Sequence, residues 1–221
     1  MEKAVFYGVF LHCEESRKTL GLARAQAPDN PNIQIQADLI DASLYDQEGN
    51  DAKAFEQLTA VLSNYYQRLT TEPDLKFAYQ DLQIRRGLAA VGIGRFQEAI
   101  PLLNESLSFP LKPKHMGNVL FGLGQCYSEL GEYESAREYL LRALSTRLTS
   151  EAEGGAHMRL GIAYAKRGFL KEAKQEFQLC EERVNAYGLE PRKIYRWLSW
   201  VCNGLGERLQ SKKYADLARP I

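Results

Sequence analysis

One pattern of small and aromatic residues recurs in this chain at a fixed spacing. Leu123-Gly124-x-x-Tyr127-x-x-x-Gly131-x-Tyr133-x-x-Ala136 returns thirty-seven residues later as Leu160-Gly161-x-x-Tyr164-x-x-x-Gly168-x-Leu170-x-x-Ala173. A period of this size marks a chain built from repeated helical hairpins. Such a unit cannot bury its apolar face alone, so neighbours must stack and the core grows lengthwise. The spacing therefore predicts an all-α solenoid, and it makes binding to another protein the default activity.

One period upstream stands Gly87, with Ala90, Gly94, Phe96 and Ala99 at the same offsets. The next copy, Ala42 with Tyr45, Gly49 and Ala54, lies forty-five residues further back, an excess of eight over the period. Eight residues are about two helical turns. Thirty-eight residues beyond Gly161 the pattern fades to Ser199, Cys202, Gly206 and Ser211.

Each residue type has a mechanical reason. Glycine inside a helix costs about 1 kcal/mol relative to alanine, so Gly87, Gly124 and Gly161 point to close helix packing, with Ala54, Ala99, Ala136 and Ala173 as the facing small residues. Gly49, Gly94, Gly131 and Gly168 fall where the first helix of each hairpin should stop, in a left-handed position that suits glycine. Prolines mark most unit boundaries, at Pro28 and Pro31, Pro73, Pro110 and Pro113, and Pro191. The boundary near Ser150 has none, and Gly154-Gly155 is expected to loosen it instead. Pro101 falls about six residues into a second helix and predicts a kink or a short helix. At the start of the chain, Ala4 and Tyr7 suit a first helix and Leu20, Ala23 and Pro28 a second. No turn glycine separates them at Cys13-Glu14-Glu15, so a hairpin and one long helix stay equally open.

This small–Tyr–Gly–Ala series resembles the tetratricopeptide repeat, a helix-turn-helix unit. The resemblance implies a right-handed superhelical solenoid of about five to six repeats forming a single domain over 1–221. Its parts would be a degenerate hairpin at 1–28, repeats at about 32–70, 74–110, 114–148 and 151–187, and a degenerate hairpin at 191–219. The family's usual tryptophan early in the first helix is missing, with Leu120 and His157 in those places.

The resemblance also implies a peptide-binding groove lined by the first helix of each hairpin. The corresponding positions are Leu39 and Ser43, then Ile84, Leu88 and Val91, then Phe121, Gln125 and Ser128. They continue through Met158, Ile162 and Lys166 to Lys193, Arg196, Trp200 and Asn203. The lining is apolar in its middle, and an exposed apolar stripe of that length calls for a cover. The cover is an amphipathic segment of another protein, this chain itself through fold-back or a homodimer, or, if the register is shifted, the inter-repeat core. The carboxylate clamp of chaperone-binding members needs lysine, asparagine and arginine at groove positions. Only Asn118 and Arg159 suggest it here, so recognition of acidic chaperone tails is not expected.

The remaining features argue against chemistry. Lys plus Arg equals Asp plus Glu, at 28 each, which leaves no net field to draw the chain to nucleic acid or anionic lipid. Arg192-Lys193-Ile194-Tyr195-Arg196-Trp197 mixes basic and aromatic residues, but it is short, and its aromatics read as packing within a terminal hairpin. His12, His115 and His157, and Cys13, Cys126, Cys180 and Cys202, show no metal-site spacing. The cysteines read as buried free thiols of a reducing compartment. Gly122-x-Gly124 lacks the third glycine of a dinucleotide loop. The apolar run Ala4 to Leu11 is too short to span a bilayer, where about 20 residues are needed. The expectation is a non-catalytic cytoplasmic scaffold or adaptor that binds a peptide, without cofactor, metal, nucleic acid or membrane insertion. The alternative is a regulatory sensor whose superhelix changes on peptide or small-ligand binding, with the eight-residue excess as its hinge.

Overall fold

A computed structural model describes residues 12–219 in full and residues 2–11 as backbone. The fold is all-α, with no strand among the described residues. A first helix, α1 (Glu2–Gln26), is followed by five helical hairpins. These are α2 (Pro31–Gln47) with α3 (Asp51–Thr71), α4 (Lys76–Gly92) with α5 (Phe96–Ser106), and α6 (Pro113–Glu129) with α7 (Tyr133–Leu144). Then come α8 (Ser150–Lys166) with α9 (Leu170–Glu182), and α10 (Pro191–Gly204) with α11 (Arg208–Leu217). The chain divides into two compact units, Met1–Ser106 and Leu107–Ile221. The division falls at the α5–α6 connection, where Pro110 and Pro113 keep the backbone out of a continuous helix.

Each hairpin turns on a glycine. Gly49, Gly94, Gly131, Gly168 and Gly206 all have positive φ, between 69° and 84°. The residue after each glycine donates its N–H back across the helix end, as Glu132 does to the Tyr127 carbonyl and Phe169 to that of Tyr164, both at 2.9 Å. This is the six-to-one bond of a Schellman ending, which satisfies carbonyls the helix leaves open. Prolines 31, 113 and 191 open α2, α6 and α10, where the missing N–H costs nothing. Pro101 lies inside α5, which is only 11 residues long.

The helical glycines close the hairpins. A Cβ at Gly87 would stand 2.7 Å from Leu103 Cδ2, one at Gly124 2.7 Å from Leu140, and one at Gly161 2.7 Å from Phe177 Cε1. Each glycine thus meets the large residue one turn beyond the repeat alanine, and Ala54, Ala99, Ala136 and Ala173 are fully buried beside that contact. In the last hairpin Ser199 and Ser211 replace the glycine contact: each hydroxyl donates to the other's carbonyl at 2.9 Å. The eight-residue excess upstream lies in α3, a continuous helix of 21 residues, followed by a short 3-10 turn at Pro73–Leu75.

Two expectations need correction. Glu2–Gln26 form the single helix α1 rather than the hairpin placed at 1–28, because nothing at Cys13–Glu15 ends the helix. The side chains of Ala4 and Tyr7 lie outside the described residues. Helix α1 is bolted to α2 by charge: Arg17 donates to Glu48 at 2.6 and 2.9 Å and to Asp41 at 3.0 Å, and Arg24 to Asp38 at 2.6 Å. The second correction concerns Gly154-Gly155, which does not loosen a boundary but sits inside α8. A Cβ at Gly154 would collide with the Tyr187 side chain, and one at Gly155 would meet Phe121 at 3.0 Å. The boundary itself is set by Thr149, whose hydroxyl caps α8 by accepting from the Ala152 N–H.

Candidate functional site

The first helices of the second unit lie beside one another, α6 against α8 and α8 against α10. Between them opens a concavity of about 430 Å³. Phe121 from α6, Met158 and Ile162 from α8, Leu189 from the α9–α10 connection and Trp197 from α10 supply its apolar surface. Its charged edge is Arg159, Lys193 and Arg196.

The local packing explains how these side chains are held. Gly155 lets the Phe121 ring lie against α8. Met158 and Ile162 are partly buried against the core of Phe177, Leu198, Val201 and their neighbours. Trp197 stacks on the buried Phe177 ring, with centroids 5.7 Å apart and planes 17° apart, and Lys166 Nζ stands 5.7 Å from the Trp197 ring centre. Arg159 donates to Glu129 at 2.8 Å, and Lys193 pairs with Glu190 at 3.0 Å. That pairing holds the Glu190 carboxyl below its ordinary range, first through the hydrogen bond and then through the Lys193 charge.

Four groove residues read from the sequence therefore meet here: Phe121, Met158, Ile162 and Arg196. Trp200 stands beside the concavity, 51% exposed and edge-on to Trp197 at 5.9 Å. Gln125 is half-buried on α6 and does not line it. The sequence marks Trp197 as a packing residue. It packs with one face and lines the concavity with another, and its position one residue after Arg196 carried no periodic signal for this. Leu189 and Gly155 were also missed. The α9–α10 connection that holds Leu189 was read as a boundary. Gly155 stood out only as half of a glycine pair.

In the first unit the expected groove residues divide. Leu39 packs partly buried against the core of Ile35, Leu58, Leu69 and Leu82, and Leu88 is half-buried. Ile84 and Val91 are only 5% and 7% exposed. They are core residues and are withdrawn from the groove: large aliphatic side chains on a helix packed from several sides give up more solvent contact than a groove position would. Beside these residues Arg85 bonds Asp81 at 2.7 Å and reaches Asp46 at 3.5 Å. Burial pushes the Asp46 carboxyl up to about 6, against the pull of Arg85 and with help from Asp51 and Asp81.

Among the described residues no group has the arrangement of a nucleophile with its base. The four cysteines are buried, unpaired thiols, and burial raises Cys126 to about 11 and Cys180 to about 12, where the nucleophilic thiolate is scarce. His157 hydrogen-bonds through Nδ1 with Glu176 at 2.7 Å and stacks on Tyr187. Among the described residues no three His, Cys, Asp or Glu side chains group as metal ligands, and no helix is long and apolar enough to cross a membrane.

Comparison with known proteins gives a consistent picture. Residues 79–148 match the tetratricopeptide-repeat family model. Tetratricopeptide repeat protein 16 of Mus musculus is 26% identical over 164 residues, an alignment covering 71% of this chain and 20% of the mouse protein. The chain thus spans about a fifth of that relative's length. Among solved structures, BtubC (BKLC) from P. vanneervenii superposes with a TM-score of 0.66 at 18% identity, covering 95% of this chain and 89% of that one. PilW, described as a widely conserved type IV pilus biogenesis factor, gives 0.65 at 18% identity, covering 94% and 86%. MamA gives 0.61 at 17% identity, covering 83% and 89%. At these identities the structural likenesses establish the fold alone.

Proposed function

The chain is a tetratricopeptide-repeat protein, and on that footing we propose that it is a non-catalytic interaction scaffold whose docking site is the concavity of α6, α8 and α10. The observation that carries this reading is the accessible apolar surface gathered there from three hairpins: Phe121, Met158, Ile162 and Trp197 around one opening of about 430 Å³. Apolar surface held open to solvent in this way marks an interaction site, and a segment of another protein laid across parallel first helices would bury it. The rigid packing beneath, from Gly161 on Phe177 and Phe177 on Trp197, fixes the surface before a partner arrives. Pre-formed surface spares a partner part of the ordering cost of association.

Affinity capture from the native cell tests the reading. Phe121→Glu and Met158→Glu should each abolish capture of a reproducible partner while far-ultraviolet dichroism stays that of the parent. Capture retained by both folded variants would sink it.

A further inference from the structure

Two hairpins use one repeat position to reach back along the stack. Two residues before the small residue of the repeat, Arg85 on α4 reaches Asp46 on α2 at 3.5 Å, and Arg159 on α8 donates to Glu129 on α6 at 2.8 Å. The equivalent residue of α2 is Ile40. Among the described residues only α1 precedes α2, and it is tied to α2 through Arg17 and Arg24. An opening of about 260 Å³ remains, lined by Leu20 and Ala23 of α1 and by Ile33, Ala37 and Ile40 of α2. Ile40 stands furthest out of these, at 44% exposed. An isoleucine thus waits, open to solvent, where two other first helices place a paired arginine.

The chemistry of the lining points to its occupant. No side chain in it is ionisable, and its polar members are the amides of Asn32 and Gln36. Arg24 and Asp38, next in sequence to Ala23 and Ala37, neutralise each other at 2.6 Å. In a two-fold contact the residues at the axis meet their own copies. A charged face repels itself there and a neutral one does not, while an amide, both donor and acceptor, can bond its own copy. We propose that a second copy of this chain covers the opening. The α1–α2 edges of two chains pack about a two-fold axis, with the two Ile40 side chains at the axis and the Gln36 amides beside them. Helix α2 has 17 residues; at about 25 Å long, with α1 alongside, the edge offers about 500 Å² per chain. That is the small end of specific interfaces, so the dimer is reversible, with a Kd of about 10–100 μM. The surface shares no residue with the docking concavity of the second unit.

Sedimentation equilibrium of the purified chain tests this. The mass should rise from 25.1 kDa toward twice that value as the concentration passes about 100 μM. Ile40→Arg sets two like charges at the axis and should weaken the dimer about tenfold or more. The fold admits the change, because α4 and α8 hold Arg85 and Arg159 at this position. Ile40→Glu should weaken the dimer equally, and an equimolar mixture of the two variants should restore it, since opposite charges then meet. Gln36 is exposed, and Gln36→Arg should also weaken the dimer, which keeps the test open if an Ile40 variant fails to fold. Phe121→Glu, which alters the docking concavity, should dimerise as the parent does. A parent that stays monomeric at about 200 μM would overturn the proposal and leave the opening to a helix of another protein. Variants at Ile40 and Gln36 that dimerise like the parent, a mixture that stays monomeric, or a dimer lost in Phe121→Glu would overturn it as well.

Discussion

Replacing Gly124 by alanine isolates the packing that the repeat encodes. The added Cβ would lie 2.7 Å from both Leu140 Cγ and Leu140 Cδ2, and 3.3 Å from the Leu140 backbone nitrogen. Leu140 is fully buried, so its side chain has no room to rotate away, and the backbone contact requires α7 itself to shift. Overpacking of this kind costs about 1–3 kcal/mol, and the involvement of backbone places it at the upper end. Alanine recovers about 1 kcal/mol of helix propensity. The net is a loss of about 2 kcal/mol, or roughly 8 °C in melting temperature for a unit spanning Leu107–Ile221. Gly21 provides the control: it too lies inside a helix, α1, but nothing stands within 4 Å of its Cβ position. Gly21→Ala should therefore stabilise α1 by up to about 1 kcal/mol. Thermal melts by circular dichroism and urea titrations of the three proteins provide the comparison. A Gly124→Ala variant as stable as the parent, or shifted in the same direction as Gly21→Ala, would refute the packing role of the repeat glycines.

Other expectations follow from particular contacts. Because the Asp46 carboxyl is raised to about 6, its ionised form costs stability above that pH, and the cost is relieved as pH falls toward the ordinary carboxylate range. With its side chain about a third exposed, at 34%, the penalty is discounted to about 1 kcal/mol. Asp46→Asn should raise the melting temperature by a few degrees at pH 8, with the gain shrinking to nothing near pH 4, as melts across that range would record. The reciprocal bonds of Ser199 and Ser211 predict that either alanine variant loses about 1 kcal/mol, and a double-mutant cycle should show that the two losses are coupled. Phe177→Ala should cost about 3–5 kcal/mol and, where the variant still folds, change Trp197 emission, because Phe177 is fully buried and stacked on that ring.

The parts of this molecule that read easily from sequence are those set by neighbours along the chain. A left-handed turn needs glycine at one position of each hairpin, so Gly131 and Gly168 announced their helix ends directly. Gly124 and Gly161 announced close packing, although the sequence did not say that Leu140 and Phe177 would be the residues in contact. What the period hid depends on several elements at once. Ile84 and Phe121 occupy equivalent repeat positions, yet one is buried and the other lines an opening, because burial is decided by what packs over each helix. Trp197 departs from its repeat position for a related reason: a large ring reaches beyond the face its position implies. The extra turns of the first hairpin were visible as a spacing, while their location in α3 depended on where Asn50 caps the helix and Pro73 interrupts it. Cationic edge residues such as Lys193 and Arg196 were legible as a basic stretch, but their meaning came only from the apolar opening beside them.

Hydrogen–deuterium exchange of the chain, free and saturated with a captured partner, tests the central claim most directly. If the docking site is the concavity, added protection falls on α8 (Ser150–Lys166) and α10 (Pro191–Gly204), with a smaller share around Phe121 on α6, and α7 and α9 exchange as they do in the free chain. Protection concentrated on α7 and α9, or confined to the first unit, would contradict the account.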